Sequence, residues 1–168
     1  MRRLLIANLH SRISRLGLTV AAAALLFASA VSAAEIQDLT DKLPRGFIGE
    51  FSWEGDRTVQ NVVITFDQVR ALNGQNAEAL GCGTYEVGRE VARFKARMFV
   101  RLPDLRVEIF ELSPEGSSSF ENRGSHRGAL SADLQRIDAE WTTTASGQHG
   151  QLHLQAASQL SCAPAEAT

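Results

Sequence analysis

Residues 81–111 have the sequence GCGTYEVGREVARFKARMFVRLPDLRVEIFE and carry the pattern that decides the fold. In the middle of this stretch, apolar residues occupy every second position: Ala92, Phe94, Ala96, Met98, Val100 and Leu102. A β-strand places all six on one face, whereas a helix would spread them around its circumference. The stretch therefore predicts a strand with one buried face.

A tight turn at Pro103-Asp104 follows this strand and sets the register of a hairpin. Counting outward from a two-residue loop places Ala96 opposite Glu111, so the Glu111 side chain points inward. The same alternation gives Tyr85 an inward position on the preceding strand. A buried carboxylate costs stability unless it is paired. Glu111 is therefore either a polar group of a binding site or a residue at a strand end that reaches solvent.

Similar alternation predicts further strands on both sides of the hairpin, over residues 47–54, 58–69, 131–144 and 152–156. The intervening segments are predicted to be connections. Residues 70–80 contain a turn at Asn73-Gly74, and residues 145–150 form a hairpin loop. Residues 112–130 form a long excursion, rich in Ser and Gly, with one short strand around residues 118–123.

The strands are not separated by helices, which excludes a parallel sheet. About six to eight strands joined by turns predict an all-β fold. We expect an antiparallel meander that forms a small closed or partly open barrel, with a β-sandwich as the alternative.

Residues 1–33 are predicted to be a secretory signal peptide. Four arginines precede an apolar run at residues 16–30, and small residues follow at 31–34. Cleavage is expected before Ala34, and a retained N-terminal anchor is the alternative. The rest of the chain is expected to comprise three parts: a polar lead-in (34–46), the barrel domain (47–157) and a C-terminal tail (158–168).

Removal of the signal peptide would make the protein acidic. The signal peptide contains four of the 17 Lys and Arg residues and none of the 19 Asp and Glu residues. The rest of the chain therefore has 13 basic and 19 acidic residues, a net charge of −6. Such a balance argues against general affinity for nucleic acid. Charged residues on the outer strand faces also argue against a lipid-facing barrel. We expect a soluble protein in the periplasm of a bacterial envelope, or secreted from it, with no membrane span after cleavage.

Cys82 and Cys162 are the only cysteines. In an oxidising compartment an even pair predicts one disulfide, here tethering the C-terminal tail to the middle of the domain. Closing a loop of about 80 residues would stabilise the fold by about 4 kcal/mol in the loop-entropy description. Two free thiols used in catalysis or metal binding are the alternative, but no CxxC motif is present.

Three short motifs resemble the avidin and lipocalin group of ligand-binding barrels, the calycins. They are the first-strand G-x-F-x-W of Gly49, Phe51 and Trp53, the G-T-Y of Gly83, Thr84 and Tyr85, and the late inward Trp141. The resemblance implies a small ligand-binding barrel. Residues 54–58 lack the Asn and Ser that follow the first tryptophan in avidins, so the resemblance does not imply a biotin site.

The candidate ligand-binding residues are Trp53, Tyr85, Glu111 and Trp141. Inward aromatic residues with polar tips can line a pocket, although they can equally fill the core of a small barrel. Our first functional hypothesis is a non-enzymatic binding module for a small apolar or amphipathic ligand. The second is a protein-interaction module, such as an inhibitor or envelope assembly factor, that uses the loops at 112–130 and 145–150. No cofactor is expected.

His126 and His149 are predicted to lie in exposed, Gly-flanked loops. His126 beside Ser125 makes a hydrolase the third hypothesis, although no G-x-S-x-G turn supports a nucleophile. His149 and His153 would lie about 13 Å apart on a strand, too far to share one metal ion. No catalytic residue and no metal site are predicted.

Overall fold

The computed structural model describes residues 32–112, 124–143 and 147–162. A short helix, α1 (Ala33–Lys42), precedes eight antiparallel strands, each paired with its neighbours in sequence. The strands are β1 (Gly46–Trp53), β2 (Val59–Ala71), β3 (Asn76–Val87), β4 (Glu90–Arg101), β5 (Arg106–Leu112), β6 (Gly124–Leu130), β7 (Arg136–Thr143) and β8 (His149–Ala156). Because β8 also pairs with β1, the sheet closes into a barrel, and the sandwich alternative is wrong.

The predicted register of the β4–β5 hairpin is confirmed. Ala96 lies opposite Glu111, and the ladder ends at the pair Arg101 and Arg106. Four residues, 102–105, lie beyond that last pair rather than the predicted two. The longer connection removes one residue from each strand and leaves the alternation unchanged. The predicted inward residues 94, 96, 98 and 100 of β4 and 107, 109 and 111 of β5 are buried, whereas Ala92 is exposed.

The predicted connection at residues 70–80 is too long, although its turn at Asn73-Gly74 lies in the observed link. Strand β2 continues to Ala71 and β3 begins at Asn76, so only four residues link them. The inward positions at the start of β3 are the small residues Ala77 and Ala79, both fully buried. Such residues have low strand propensity, and here the closed ladder overrides that propensity.

The predicted excursion at residues 112–130 is also wrong for its last seven residues, which form β6 between β5 and β7. The short strand predicted around residues 118–123 lies outside the described residues. The predicted loop at 145–150 is shorter than expected, since His149 and Gly150 already belong to β8.

Helix α1 replaces the predicted polar lead-in, in which only a short helical turn was expected. It begins with a capping box: the Ser32 hydroxyl accepts from the Glu35 backbone N–H, and the Glu35 carboxylate accepts from the Ser32 backbone N–H. Its buried residues Ile36 and Leu39 join the barrel core. The helix borders the β4–β5 and β6–β7 connections, so it marks one end of the barrel.

The predicted disulfide is confirmed. Cys82 on β3 is bonded to Cys162, with a Cα–Cα distance of 5.9 Å. The bond joins residues 80 positions apart and holds the tail to the barrel. No helix in the described part of the chain is long and apolar enough to cross a membrane.

One acidic side chain on the outer surface is nearly inaccessible. Glu78 of β3 is 1% exposed and accepts a bond from Arg70 and another from Arg97, each in a contact of 2.6 Å. The bond from Arg70, more than any other contact, lowers the pKa of the Glu78 carboxyl below its ordinary value, and Arg97 adds to this effect. The two arginines on β2 and β4 thus clamp β3 between them.

Inward side chains fill the half of the barrel nearest α1. They come from all eight strands and include Phe47, Ile64, Phe66, Ala79, Met98, Val100, Ile109, Leu130, Ile137 and Leu154, none more than 4% exposed. This half is a packed core, as is usual for barrels of about eight strands.

Candidate functional site

A cluster of three polar side chains lies inside the barrel towards its distal end, the end opposite α1. Tyr85, Glu111 and His126 point inward from β3, β5 and β6 and are 7%, 4% and 0% exposed. The Tyr85 hydroxyl donates to Glu111 Oε1. His126 Nε2 lies 2.7 Å from the same oxygen and 3.1 Å from the Tyr85 hydroxyl. We call this set the interior polar cluster.

The position of the cluster follows from the strand ends. Tyr85 lies two residues before the end of β3, Glu111 one residue before the end of β5, and His126 two residues after the start of β6. Because neighbouring strands are antiparallel, these three positions converge at the same end of the barrel. Strand alternation then turns all three side chains inward.

Aromatic rings surround the interior polar cluster. The Phe51 ring lies 5.7 Å from Tyr85 and 5.5 Å from His126, measured between ring centroids. Trp141 packs against His126 at 4.9 Å. Trp53, the half-buried last residue of β1, contacts Phe51 at 4.9 Å and Trp141 at 6.4 Å. The polar groups therefore lie within apolar walls, where hydrogen bonds and charges act more strongly than in water.

Glycines on the strands make room for these rings. A Cβ added to Gly150 would lie 2.4 Å from the Phe51 ring, and one added to Gly124 would lie 2.6 Å from the Trp141 ring. Separations below 3.0 Å do not occur for real Cβ atoms, so a larger residue would displace the ring. The aromatic walls thus depend on glycine at both positions.

Burial and the neighbouring carboxylate act together on Tyr85. Desolvation raises the pKa of its phenol well above the ordinary value of 10.0, and the charge of Glu111 raises it further. The hydroxyl therefore stays protonated and donates. An ionised carboxylate can only accept, so His126 Nε2 must carry the hydrogen that it shares with Glu111.

Two nitrogen atoms beside the cluster have no hydrogen-bond partner among the described residues. They are His126 Nδ1 and Trp141 Nε1, both buried. Buried polar groups are almost always paired, with protein, water or ligand, so each of these atoms requires an explanation. Together with the convergence of the cluster, they make this region the candidate functional site.

The structure brings together residues that the sequence singled out separately. Tyr85 and Glu111 share a hydrogen bond, and Trp141 and Trp53 pack edge to face. Their assignment to a ligand stays a prediction. His126, the third member of the cluster, was wrongly placed in a loop, because the short strand β6 has the glycine-rich sequence GSHRGAL and gives no signal of alternating large apolar residues.

His149 and His153, the other histidines among the described residues, lie on the outer surface. His149 pairs with Glu140 and His153 with Asp138, each at 2.9 Å. The predicted loop position of His149 is wrong, since it begins β8. No group of three or more potential metal ligands occurs within residues 32–112, 124–143 and 147–162.

The geometry does not assemble a hydrolase from the residues named for it. Ser125 lies on the opposite face of β6 from His126, and its hydroxyl donates to Glu108 Oε1 at 3.0 Å. The hydroxyl that His126 does reach is the Tyr85 phenol, whose raised pKa makes it a poor nucleophile.

No protein-family model matches the chain, and comparison with curated proteins finds no relative of significant sequence similarity. Functional inference therefore rests on the geometry of the site.

Proposed function

We propose that this protein is a non-enzymatic binding module that holds a small amphipathic ligand at the distal end of its barrel. The observation that carries the proposal is the interior polar cluster, with the unpaired nitrogens of His126 and Trp141 beside it. Binding sites for small molecules combine apolar and aromatic walls with a few convergent polar groups. Trp53, Phe51 and Trp141 supply the walls, and the cluster supplies the polar groups.

Stability alone gives no reason for this arrangement. Replacing a buried ionic or polar network by packed apolar residues is commonly neutral or stabilising. A barrel interior filled with Leu and Phe would therefore hold together at least as well. The retention of a carboxylate, an imidazole and a phenol in the interior favours a role in recognition.

Export to the periplasm or the extracellular medium is part of the proposal. The first 33 residues have the charged, apolar and small-residue order of a signal peptide. The disulfide between Cys82 and Cys162 supports an oxidising destination, since such bonds are rare in the cytosol.

Native mass spectrometry of protein purified from its own cells tests the binding proposal. We expect a small-molecule adduct on the wild type that is lost in Glu111→Gln. The matched control is Glu108→Gln, because Glu108 lies on the same strand but on its outer face, paired with Arg127. Wild-type protein that carries no adduct, or an adduct retained equally by both variants, would contradict the proposal.

The packed half of the barrel favours a second candidate, a protein-interaction module. A filled interior leaves the outer surface and the connections as the means of recognition, as the sequence hypothesis for residues 112–130 and 145–150 proposes. The same measurement separates the two candidates, since a partner adds the mass of a protein rather than that of a small molecule.

A further inference from the structure

The chemistry of the two unpaired nitrogens narrows the class of ligand, and this inference rests on the binding function proposed above. His126 Nδ1 and Trp141 Nε1 belong to adjacent rings whose centroids are 4.9 Å apart. Both residues are essentially inaccessible, at 0% and 1% exposure. A ligand group that satisfied both atoms would remove the cost of two unpaired buried polar atoms at once.

The hydrogen-bond roles of the two atoms follow from the cluster. Trp141 Nε1–H is a donor only. His126 carries its hydrogen on Nε2, which faces the Glu111 carboxylate at 2.7 Å, so in the neutral ring Nδ1 is a bare acceptor.

We propose that His126 and Trp141 form a receptor for a hydroxyl group, so that the ligand is an uncharged alcohol or phenol with an apolar body. A hydroxyl accepts from Trp141 Nε1–H and donates to His126 Nδ1 at the same time. A carboxylate cannot donate and an ammonium cannot accept, so each leaves one nitrogen unsatisfied. The apolar body would contact Phe51 and Trp53, which flank the two rings.

A matched series of probes in solution NMR tests this assignment. The probes are benzyl alcohol, benzylamine, benzoate and toluene, which share one ring and differ in the polar group. The protein is the full oxidised chain labelled with ¹⁵N. It contains two tryptophans, so the two indole N–H signals can be assigned with a Trp53→Phe variant.

With benzyl alcohol we expect a saturable downfield shift of the Trp141 indole N–H and a dissociation constant about 3- to 10-fold lower than for the other three probes, as one net hydrogen bond implies. Trp141→Phe keeps a ring but removes the donor, so it should weaken benzyl alcohol about 3- to 10-fold and leave toluene unchanged. Ligand-observed saturation transfer measures the affinities of this variant.

The outcomes distinguish failure of the hydroxyl receptor from failure of the proposed binding function. Binding of all four probes with equal affinity, or preference for benzylamine or benzoate, would overturn the hydroxyl receptor while leaving a binding site at the distal end. If benzyl alcohol does not shift the Trp141 indole N–H and this group already contacts bound water, then water satisfies both nitrogens. That result would also overturn the hydroxyl receptor. Failure of every probe, toluene included, to shift any residue of the distal end would overturn both the receptor and the proposed binding function.

Discussion

Removing both donors to Glu111 should cost far more stability than removing the whole interior polar cluster. The double variant Tyr85→Phe/His126→Leu leaves the buried carboxylate without either bond to Oε1. The triple variant adds Glu111→Leu and leaves an apolar interior. If the interior polar cluster serves recognition rather than stability, the triple variant should be the more stable of the two.

The magnitude follows from the two bonds. A hydrogen bond to a charged group contributes about 1.5–3 kcal/mol, so losing both costs about 3–6 kcal/mol. Total stabilities of domains are about 5–15 kcal/mol, so this loss approaches unfolding. Adding Glu111→Leu removes the unpaired carboxylate, and we expect it to recover at least about 2 kcal/mol because an apolar replacement of a complete network is close to neutral.

Urea unfolding of the oxidised proteins, followed by circular dichroism, measures these differences. The control combines the double variant with Glu108→Leu, which changes the outer face of the same strand and should restore nothing. A double variant as stable as the wild type, or a triple variant no more stable than the double, would refute the reasoning.

Three further changes test the supporting structure by the same unfolding assay. Gly150→Ala should destabilise by about 1–3 kcal/mol, since its Cβ would meet the Phe51 ring at 2.4 Å, whereas Gly74→Ala, with nothing within 4 Å, should be close to neutral; equal effects would contradict the packing. The lowered pKa of Glu78 means that its contribution to stability is complete above the ordinary pKa of 4.5 and is lost as pH falls below it. Glu78→Gln should therefore cost about 1–3 kcal/mol at neutral pH and make the stability of the protein less dependent on pH in the acid range. An unchanged dependence of stability on pH would contradict the pairing of Glu78 with Arg70 and Arg97. Ser32→Ala should lower the free energy of unfolding of the uncleaved chain by about 1 kcal/mol, because it removes the helix cap. In exported protein the substitution should have no effect if cleavage precedes Ala34, since Ser32 is then removed. An equal loss of stability in both forms would show that cleavage occurs elsewhere.

Alternation in the sequence was sufficient to predict the strands that carry large apolar residues. Counting from the turn near Pro103 correctly placed Glu111 inward, and the two cysteines correctly predicted the disulfide. The register prediction succeeded because the other inward positions of β4 and β5 are apolar, and a one-residue shift would expose all of them.

The failures share a cause. At His126 the inward residue is polar, and the nearest positions on the same face of β6, Gly124 and Gly128, are glycines, so no hydrophobic pattern marks the strand. At Ala77 and Ala79 the inward residues are fully buried but small, so they add little to a hydrophobic pattern. Closure of the barrel supplies the ladder that makes these segments strands, and closure is a property of the whole sheet rather than of any local sequence.

The convergence of the cluster could not be predicted for the same reason. Strand alternation indicated that Tyr85 and Glu111 point inward. However, these two residues are 26 positions apart in the sequence, and Tyr85 and His126 are 41 positions apart. Their contact depends on which strands are adjacent across the barrel, and on β6 being a strand at all.

The most direct test of the interior polar cluster is an alkaline titration of tyrosinate absorbance, because Tyr85 is the only tyrosine in the chain. Its raised pKa means that the fold is stable below the ordinary value of 10.0 and loses stability as pH rises above it. We expect no tyrosinate signal until circular dichroism reports loss of the β-sheet, with both changes at one pH well above 10.0. Ionisation near 10.0 with the sheet intact would show that Tyr85 is not buried against Glu111, and would contradict the account of the site.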